Sequence, residues 1–269
     1  MTMMLNPDLL DRRALALLAF VDAYGRPLQA SVQIEGEGVK MVAKGNGQYA
    51  VLAAKGLETH TAAFLAPPGA PALRSLHIQL DCTPLTRTLA PRRFDLRLPR
   101  DPDPTHREQP NSLFQPVPIE ILPTAAGPVT GSAAVLRVSV TRSGDGKTIE
   151  GALVRAQTDN GLFAAHALTD ARGEACLLFA ALPLSFAGAG ATVDPDTPAR
   201  VTVDVDPAVA RFHAPADIPA AVTEAAGRTT GLIDPDALAA ALPANFPSGT
   251  ALRVAAGRQL SLALTWTAP

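Results

Sequence analysis

Residues 135–156 read VLRVSVTRSGDGKTIEGALVRA. Two strand-forming runs, at 135–140 and 152–156, flank a turn at 143–146 that contains two glycines. Alternation with a period of two is typical of strands that bury one face, and Gly at a turn lets the chain reverse tightly. The stretch therefore predicts consecutive strands of a β-sheet.

The same pattern recurs along most of the chain. Gly45-Asn46-Gly47 is a hairpin signal. Short alternating runs are bounded by Gly and Pro turns and lie at 31–35, 76–82, 94–98, 135–140, 201–205 and 260–266. Short strands at such spacing are typical of antiparallel sandwiches. The predicted fold class is therefore all-β, with two Ig-like antiparallel β-sandwich modules.

Proline divides the chain. Residues 99–128 hold eight of its 25 prolines, and Pro removes a ladder donor and fixes φ. We expect a first sandwich at 1–98, an extended Pro-rich linker with an edge strand at 99–130, and a second sandwich at 131–269. An insertion at 207–248 has helix signals, since Asp234 and Pro235 are a typical N-cap and first residue, and 217–228 forms a second candidate helix.

The two halves share a sequence motif, which we call the repeated phrase. Gly25, Pro27, Leu28 and 30–32 align without a gap on Gly146, Thr148, Ile149 and 151–153, and Thr169-Asp170 with Gly173 complete the second copy. This phrase resembles the carboxypeptidase regulatory-like, or transthyretin-like, Ig-type β-sandwich, although the first copy lacks the Thr-Asp pair. The resemblance covers about 60 residues per copy and implies a non-catalytic building block.

Composition excludes some partners. There are 23 basic and 25 acidic residues, a net charge of -2, and 18% charged residues against 47% hydrophobic ones. A basic face for nucleic acid or an anionic membrane is not expected. No apolar run is long enough to span a bilayer, and Asp8 and Asp11 argue against a secretion signal. Cys82 and Cys176 are expected to be buried without a disulfide framework, which favours the cytoplasm.

Catalytic and metal signals are weak. Residues 143–148 end like a phosphate loop, but position 141 is Thr rather than the required Gly, and a strand follows instead of a helix. His77 and Asp81 share a strand face without a third ligand. Asp-Pro-Asp occurs at 101–103, 194–196 and 234–236, where turn and N-cap chemistry is the ordinary explanation. No catalytic residue, cofactor or metal ligand is predicted, and the chain is expected not to be an enzyme.

The predicted function is therefore that of a structural or adaptor subunit, held among other protein subunits, with homo-oligomers allowed. Tandem modules of this Ala/Pro-rich, unsecreted style also resemble components of bacterial contractile injection systems and phage-tail-like particles. The candidate partner interface consists of Arg92, Arg93, Arg97, Arg100 and Trp266. Two alternatives stay open: a module that binds carbohydrate or a cell surface, and an enzyme with the 207–248 insertion as its lid.

Overall fold

A computed structural model describes residues 14–57, 71–127, 133–179, 182 and 196–268. The chain divides into two compact units, each drawn from several segments. The first is drawn from Met1–Phe20, Gly36–Gln79 and Asp95–Ile119, and the second from Val21–Glu35, Leu80–Phe94 and Glu120–Pro269. The continuous modules 1–98, 99–130 and 131–269 stay a prediction of chain organisation. Residues 128–130 of the predicted linker, Asp8, Asp11 and Asp194 lie outside the described residues.

The described residues form an all-β structure, and the predicted fold class is confirmed. Two short helices, α1 (Ile218–Ala226) and α2 (Pro235–Ala241), lie in the predicted insertion. The strands are β1 (Ala16–Val21), β2 (Val32–Glu35), β3 (Val39–Gly45), β4 (Gln48–Ala54), β5 (Leu76–Pro84), β6 (Arg92–Leu98), β7 (Val117–Glu120), β8 (Ala134–Arg142), β9 (Thr148–Glu150), β10 (Leu153–Thr158), β11 (Ala164–Leu168), β12 (Glu174–Phe179), β13 (Thr197–Asp204), β14 (Arg211–His213), β15 (Thr250–Val254) and β16 (Gln259–Trp266).

One four-stranded sheet has the order β3-β4-β1-β7. The predicted hairpin joins β3 to β4: Gly45 pairs with Gln48, and Asn46 and Gly47 both have positive φ, as a type I′ turn requires. In β1 the alternate residues Ala16, Leu18 and Phe20 are buried, so the period-two pattern places one face of this sheet in a core.

The Pro-rich residues 99–116 are not extended, which differs from the sequence-based expectation. The Arg100 side chain is buried and donates to the carbonyl oxygens of Pro110, Ser112 and Gln115 at 2.7–3.0 Å. Asp101 exchanges backbone hydrogen bonds with Asn111 and Leu113. A buried guanidinium satisfies several carbonyls at once because it has five N–H donors. The loop therefore folds back around Arg100.

A three-stranded sheet has the order β2-β5-β6. Strands β2 and β5 are antiparallel, with Val32 opposite Pro84 and Glu35 opposite Asp81. Cys82 is free and fully buried in β5, and burial raises the pKa of its thiol to about 12. Cys176 in β12 is also free and buried. Both cysteines therefore act as small core residues, as predicted.

The second unit contains two sheets around one core. One has the order β11-β10-β13-β15, and the other has the order β12-β8-β9-β14 with β16 also paired to β8. The shared core takes alternate residues of both sheets, including Leu136, Val138, Val140, Val154, Leu177, Phe179 and Val201. Strand β16 pairs with β8 in parallel, whereas the other registered pairs are antiparallel. Both pairings leave the same alternation in the sequence, so alternation did not distinguish them.

The repeated phrase has a structural cause in this unit. Thr169 Oγ1 donates to the Ile149 carbonyl and accepts from the Ala152 amide at 2.9 Å, which holds the β9–β10 connection. Gly151 lies in that connection with φ +85°, and Gly173 has φ +74°. A Cβ at Gly173 would lie 2.5 Å from the Val140 carbonyl oxygen, so only glycine fits there. These motif residues are therefore requirements of the fold.

The insertion is held at the start of α2 and by apolar side chains. Asp234 Oδ1 accepts hydrogen bonds from the amides of Asp236 and Ala237, so it caps α2 as predicted. Leu232 and Leu238 are buried. Neither described helix has the length and apolar character needed to cross a lipid bilayer.

Gly173→Ala tests the origin of the phrase, with Gly146→Ala as the matched control. Both glycines have φ near +70°, but no atom lies near the Cβ position of Gly146. We expect Gly146→Ala to cost about 1–2 kcal/mol of unfolding free energy from left-handed strain alone. Gly173→Ala is expected to cost at least about 3 kcal/mol, because the backbone must also move. Chemical denaturation measures both; equal costs would contradict the steric explanation.

Candidate functional site

Arg92, a predicted interface residue, is buried in the second unit. Its side chain is 5% exposed and donates to the Glu120 carbonyl oxygen at 3.0 Å. The same guanidinium lies 2.5 Å from an oxygen of Asp236 and 3.5 Å from an oxygen of Asp234. Arg92 therefore joins strand β6 to the start of α2.

Arg93, the next residue, forms a bidentate ion pair with Asp81 of β5. Arg93 Nε and Nη2 lie 2.8 and 2.9 Å from the two Asp81 oxygens, which also accept from the amides of Gly231 and Leu232. Burial alone would raise the pKa of Asp81, but Arg93 and these amides hold it below its ordinary value. We call Asp81, Arg92, Arg93, Asp234 and Asp236 the charged clasp, since together they hold residues 231–236.

Arg97 and Arg100 belong to the first unit. Arg97 is exposed, and its Nε lies 3.2 Å from Asp95, whose other contact is His77 Nδ1 at 2.8 Å. Arg100 is buried among loop carbonyls, and burial lowers its pKa. In the same loop, Asp101 accepts from His106 at 2.8 Å and raises the pKa of that imidazole. Of these two arginines, only Arg97 presents its side chain at the surface.

Trp266 ends β16 in the second unit. Its ring lies 6.2 Å from that of Phe212, and the Arg142 guanidinium lies over the Phe212 ring at 4.5 Å. The side chain is half-buried and packs against the core. The predicted interface residues therefore divide: Arg92 and Arg100 are buried, Arg93 holds Asp81, and Arg97 and Trp266 reach the surface. Their role toward a partner stays a prediction.

No sequence signal pointed to Glu150, yet this residue is the centre of another charged cluster in the described second unit. Glu150 lies on β9 and is 6% exposed. Its oxygens lie 3.1 Å from Arg211, 2.8 Å from His213 Nε2 and 2.5 Å from Arg228. Burial would raise the pKa of Glu150, but the hydrogen bonds from Arg228 and His213 outweigh it and lower the pKa. One carboxylate thus fixes β14 and the end of α1.

A shallow depression of about 430 Å³ lies on the outer side of strands β12, β8 and β16. Its charged lining residues are Arg137, which donates to the Gly127 carbonyl oxygen, and Glu174. The remaining lining is small or apolar: Ala125, Val138, Ser139, Ala175, Ser261, Leu262 and Ala263. It is an open part of a sheet face.

Metal-ligand clusters are absent from the described ranges: no group of three or more His, Cys, Asp or Glu converges there. Two Asp-Pro-Asp sequences instead cap turns, since Asp103 caps the short helix Pro104–His106 and Asp234 caps α2. At the third, Asp196 lies 3.4 Å from Arg258. The described aspartates of these three sequences are therefore engaged within the fold.

Arg92→Ala tests whether this arginine serves the fold, with Arg97→Ala as the exposed control. Arg92→Ala leaves Asp234 partly buried without its cation, and we expect a loss of about 3–5 kcal/mol, as for other broken buried pairs. Arg97→Ala should leave the thermal midpoint unchanged, because single exposed ion pairs contribute little. Calorimetry of both variants measures this, and a wild-type midpoint for Arg92→Ala would contradict the charged clasp.

Glu150→Gln tests the second cluster, with the exposed Glu224→Gln as control, because both carboxylates contact Arg228. We expect a loss of about 3 kcal/mol at neutral pH for Glu150→Gln and little change for the control. Because the folded pKa of Glu150 is lowered, its stabilisation is full above the unfolded value of about 4.3 and falls as pH drops through the folded pKa. The free energy of unfolding, measured from about pH 6 to about pH 3, where carboxyl groups titrate, should therefore fall less steeply in Glu150→Gln than in the wild-type protein.

Comparisons with known proteins identify no family. No family model matches the chain, and no curated protein does. Among solved structures, the chain is similar to the Bacillus anthracis TIE protein (10% identity, TM-score 0.25, 88% of this chain and 34% of that one). It is also similar to GBS52, the minor pilin of Streptococcus agalactiae (8%, 0.25, 94% and 95%). The major pilin subunit BcpA of Bacillus cereus is comparable (8%, 0.24, 88% and 56%). The chain thus spans about a third of the TIE chain, and TM-scores this low support no conclusion about function.

Proposed function

We propose that this chain is a non-catalytic structural or adaptor subunit of a large protein assembly. The observation that carries the proposal is the outer edge of β16, which no strand of the described ranges pairs. Its sequence, QLSLALTW, contains neither charge nor proline. Natural proteins normally protect such edges, because an unpaired strand binds another strand by backbone hydrogen bonds. An unprotected edge of this length fits a protein that joins other subunits.

The charged clusters support the same role. Glu150 holds β14 and α1, the charged clasp holds residues 231–236, and Arg100 holds its own loop. Each buried charge has fold-internal partners, as buried charges require. The described polar clusters thus serve to keep loops and the insertion in place, which is what a rigid subunit needs.

The finer proposal is that the assembly is a phage-tail-like contractile injection particle formed in the cytoplasm. Its support is the resemblance to components of such particles that the tandem modules show, together with the string RFDLRLP at 93–99, which closes the first predicted module. The carbohydrate alternative needs free aromatic faces. Tyr49 instead packs on Phe20, Arg26 lies over Tyr24, and Trp266 packs beside Phe212, so these three rings are engaged within the fold.

Size fractionation of native lysate distinguishes these proposals. The tagged full-length chain is expected to migrate with particles in the megadalton range and to carry other subunits with it, identified by mass spectrometry. Recovery of sheath and tube proteins would support the contractile particle, and other partners of defined stoichiometry would support only the structural role. A chain that migrates as a free monomer or dimer in native lysate would contradict the structural role.

A further inference from the structure

The free edge of β16 can be assigned atom by atom. Val135 N donates to the Arg258 carbonyl, and Ser143 N donates to the Trp266 carbonyl. Since both N–H and C=O of a residue in a parallel strand point to the same side, the even-numbered residues of β16 face β8. Gln259, Ser261, Ala263 and Thr265 therefore direct their backbone groups outward. No strand of the described ranges accepts them.

Three other sheet edges carry protective features. Strand β7 contains Pro118, and β3 contains Lys40 and Lys44 and has two register shifts against β4. Strand β6 has Arg93 N bonded to the Ile233 carbonyl. Bulges, lysines, prolines and covering loops are the usual means of blocking edge pairing. By contrast, β16 is the longest edge strand described, and its eight residues pair with β8 without a register shift.

The inner face of β16 is also incomplete. Leu262, Leu264 and Trp266 pack against the core but remain partly exposed, and Leu260 is 37% exposed. These four residues form one apolar row along the strand, because alternate residues share a face. A further strand with apolar residues on the same face would extend the core over this row.

We propose that the outer edge of β16 pairs with β16 of a second copy of this chain, antiparallel and centred on Ala263. In this register the outward-facing Ala263 residues meet at the two-fold axis, and Ser261 lies opposite Thr265. Leu260 then lies opposite Trp266, and Leu262 lies opposite Leu264, so every apolar residue of the row meets an apolar one. Cross-strand pairs of this kind are the unit of sheet stability.

The strand's own sequence favours a second copy as the occupant. Because β16 has no charged residue, two copies meet without like-charge repulsion, and Arg258 falls opposite Ala268 rather than its own counterpart. An isologous pair closes after two subunits, which is the commonest symmetry of soluble oligomers. The inference rests on the proposed function, since it names the first partner of that structural subunit.

The test uses the purified full-length chain in sedimentation equilibrium. Ala263→Lys places two ammonium groups against each other at the axis, so the dimer should dissociate at least about tenfold more readily. Ala263→Glu should behave likewise. An equimolar mixture of Ala263→Lys and Ala263→Glu should restore a dimer, because opposite charges now meet. Ala251→Lys, on an exposed edge residue of β15, is the matched control and should stay dimeric.

Three results would overturn the self-pairing: a wild-type monomer at about 100 μM, a dimer indifferent to Ala263→Lys, or a mixture that stays monomeric. Hydrogen exchange adds a fourth, since amides 261, 263 and 265 should be protected in the dimer and exchange fast in Ala263→Lys. Protection in that variant would mean that another part of the chain covers the edge. If the purified chain is a monomer but the chain in native lysate migrates in megadalton particles, only self-pairing is contradicted. If the purified chain is a dimer but the chain in lysate is free of larger particles, only the structural role is contradicted.

Discussion

Much of the second unit depends on one contact, the buried carboxylate of Glu150. It lies on β9, a three-residue strand that joins β8 to β14. So short a strand adds few ladder hydrogen bonds, and two arginines and His213 at 2.5–3.1 Å supply the missing restraint. Desolvating a carboxylate costs several kcal/mol unless such partners are present. The insertion and β9 therefore stabilise each other through one residue.

The hydrogen bonds of Thr169, together with Gly151 and Gly173, set the backbone next to Glu150. Thr169 fixes the carbonyl of Ile149, and Gly151 turns the chain directly after Glu150. A Cβ at Gly151 would lie 2.3 Å from Ile233 of the insertion. The absent side chain thus makes room for the segment that the charged clasp holds. The repeated phrase therefore specifies where the insertion docks as well as how the strands turn.

Alternation predicted these strands well because each has one buried face and one more exposed face. In β8, Leu136, Val138 and Val140 are buried, whereas Arg137 and Ser139 are half-exposed. The contacts that define the candidate sites were beyond the sequence. Arg92 meets Asp236 across 144 positions, and Glu150 meets Arg228 across 78. Pairing at such separations depends on how the sheets pack, and one sequence carries no local pattern for it. Arg92 therefore looked like a surface charge although it is buried.

Internal use of charge also determines what the surface offers a partner. The chain has a net charge of only -2, and Arg92, Arg93 and Arg100 are committed to carboxylates or carbonyls of their own fold. Steering by charge needs a patch of one sign, and these arginines supply none. Backbone groups at an open strand edge need no charge, since their hydrogen bonds fix both direction and register. On the self-pairing proposal, recognition falls to β16, where an apolar row sets which register is favoured.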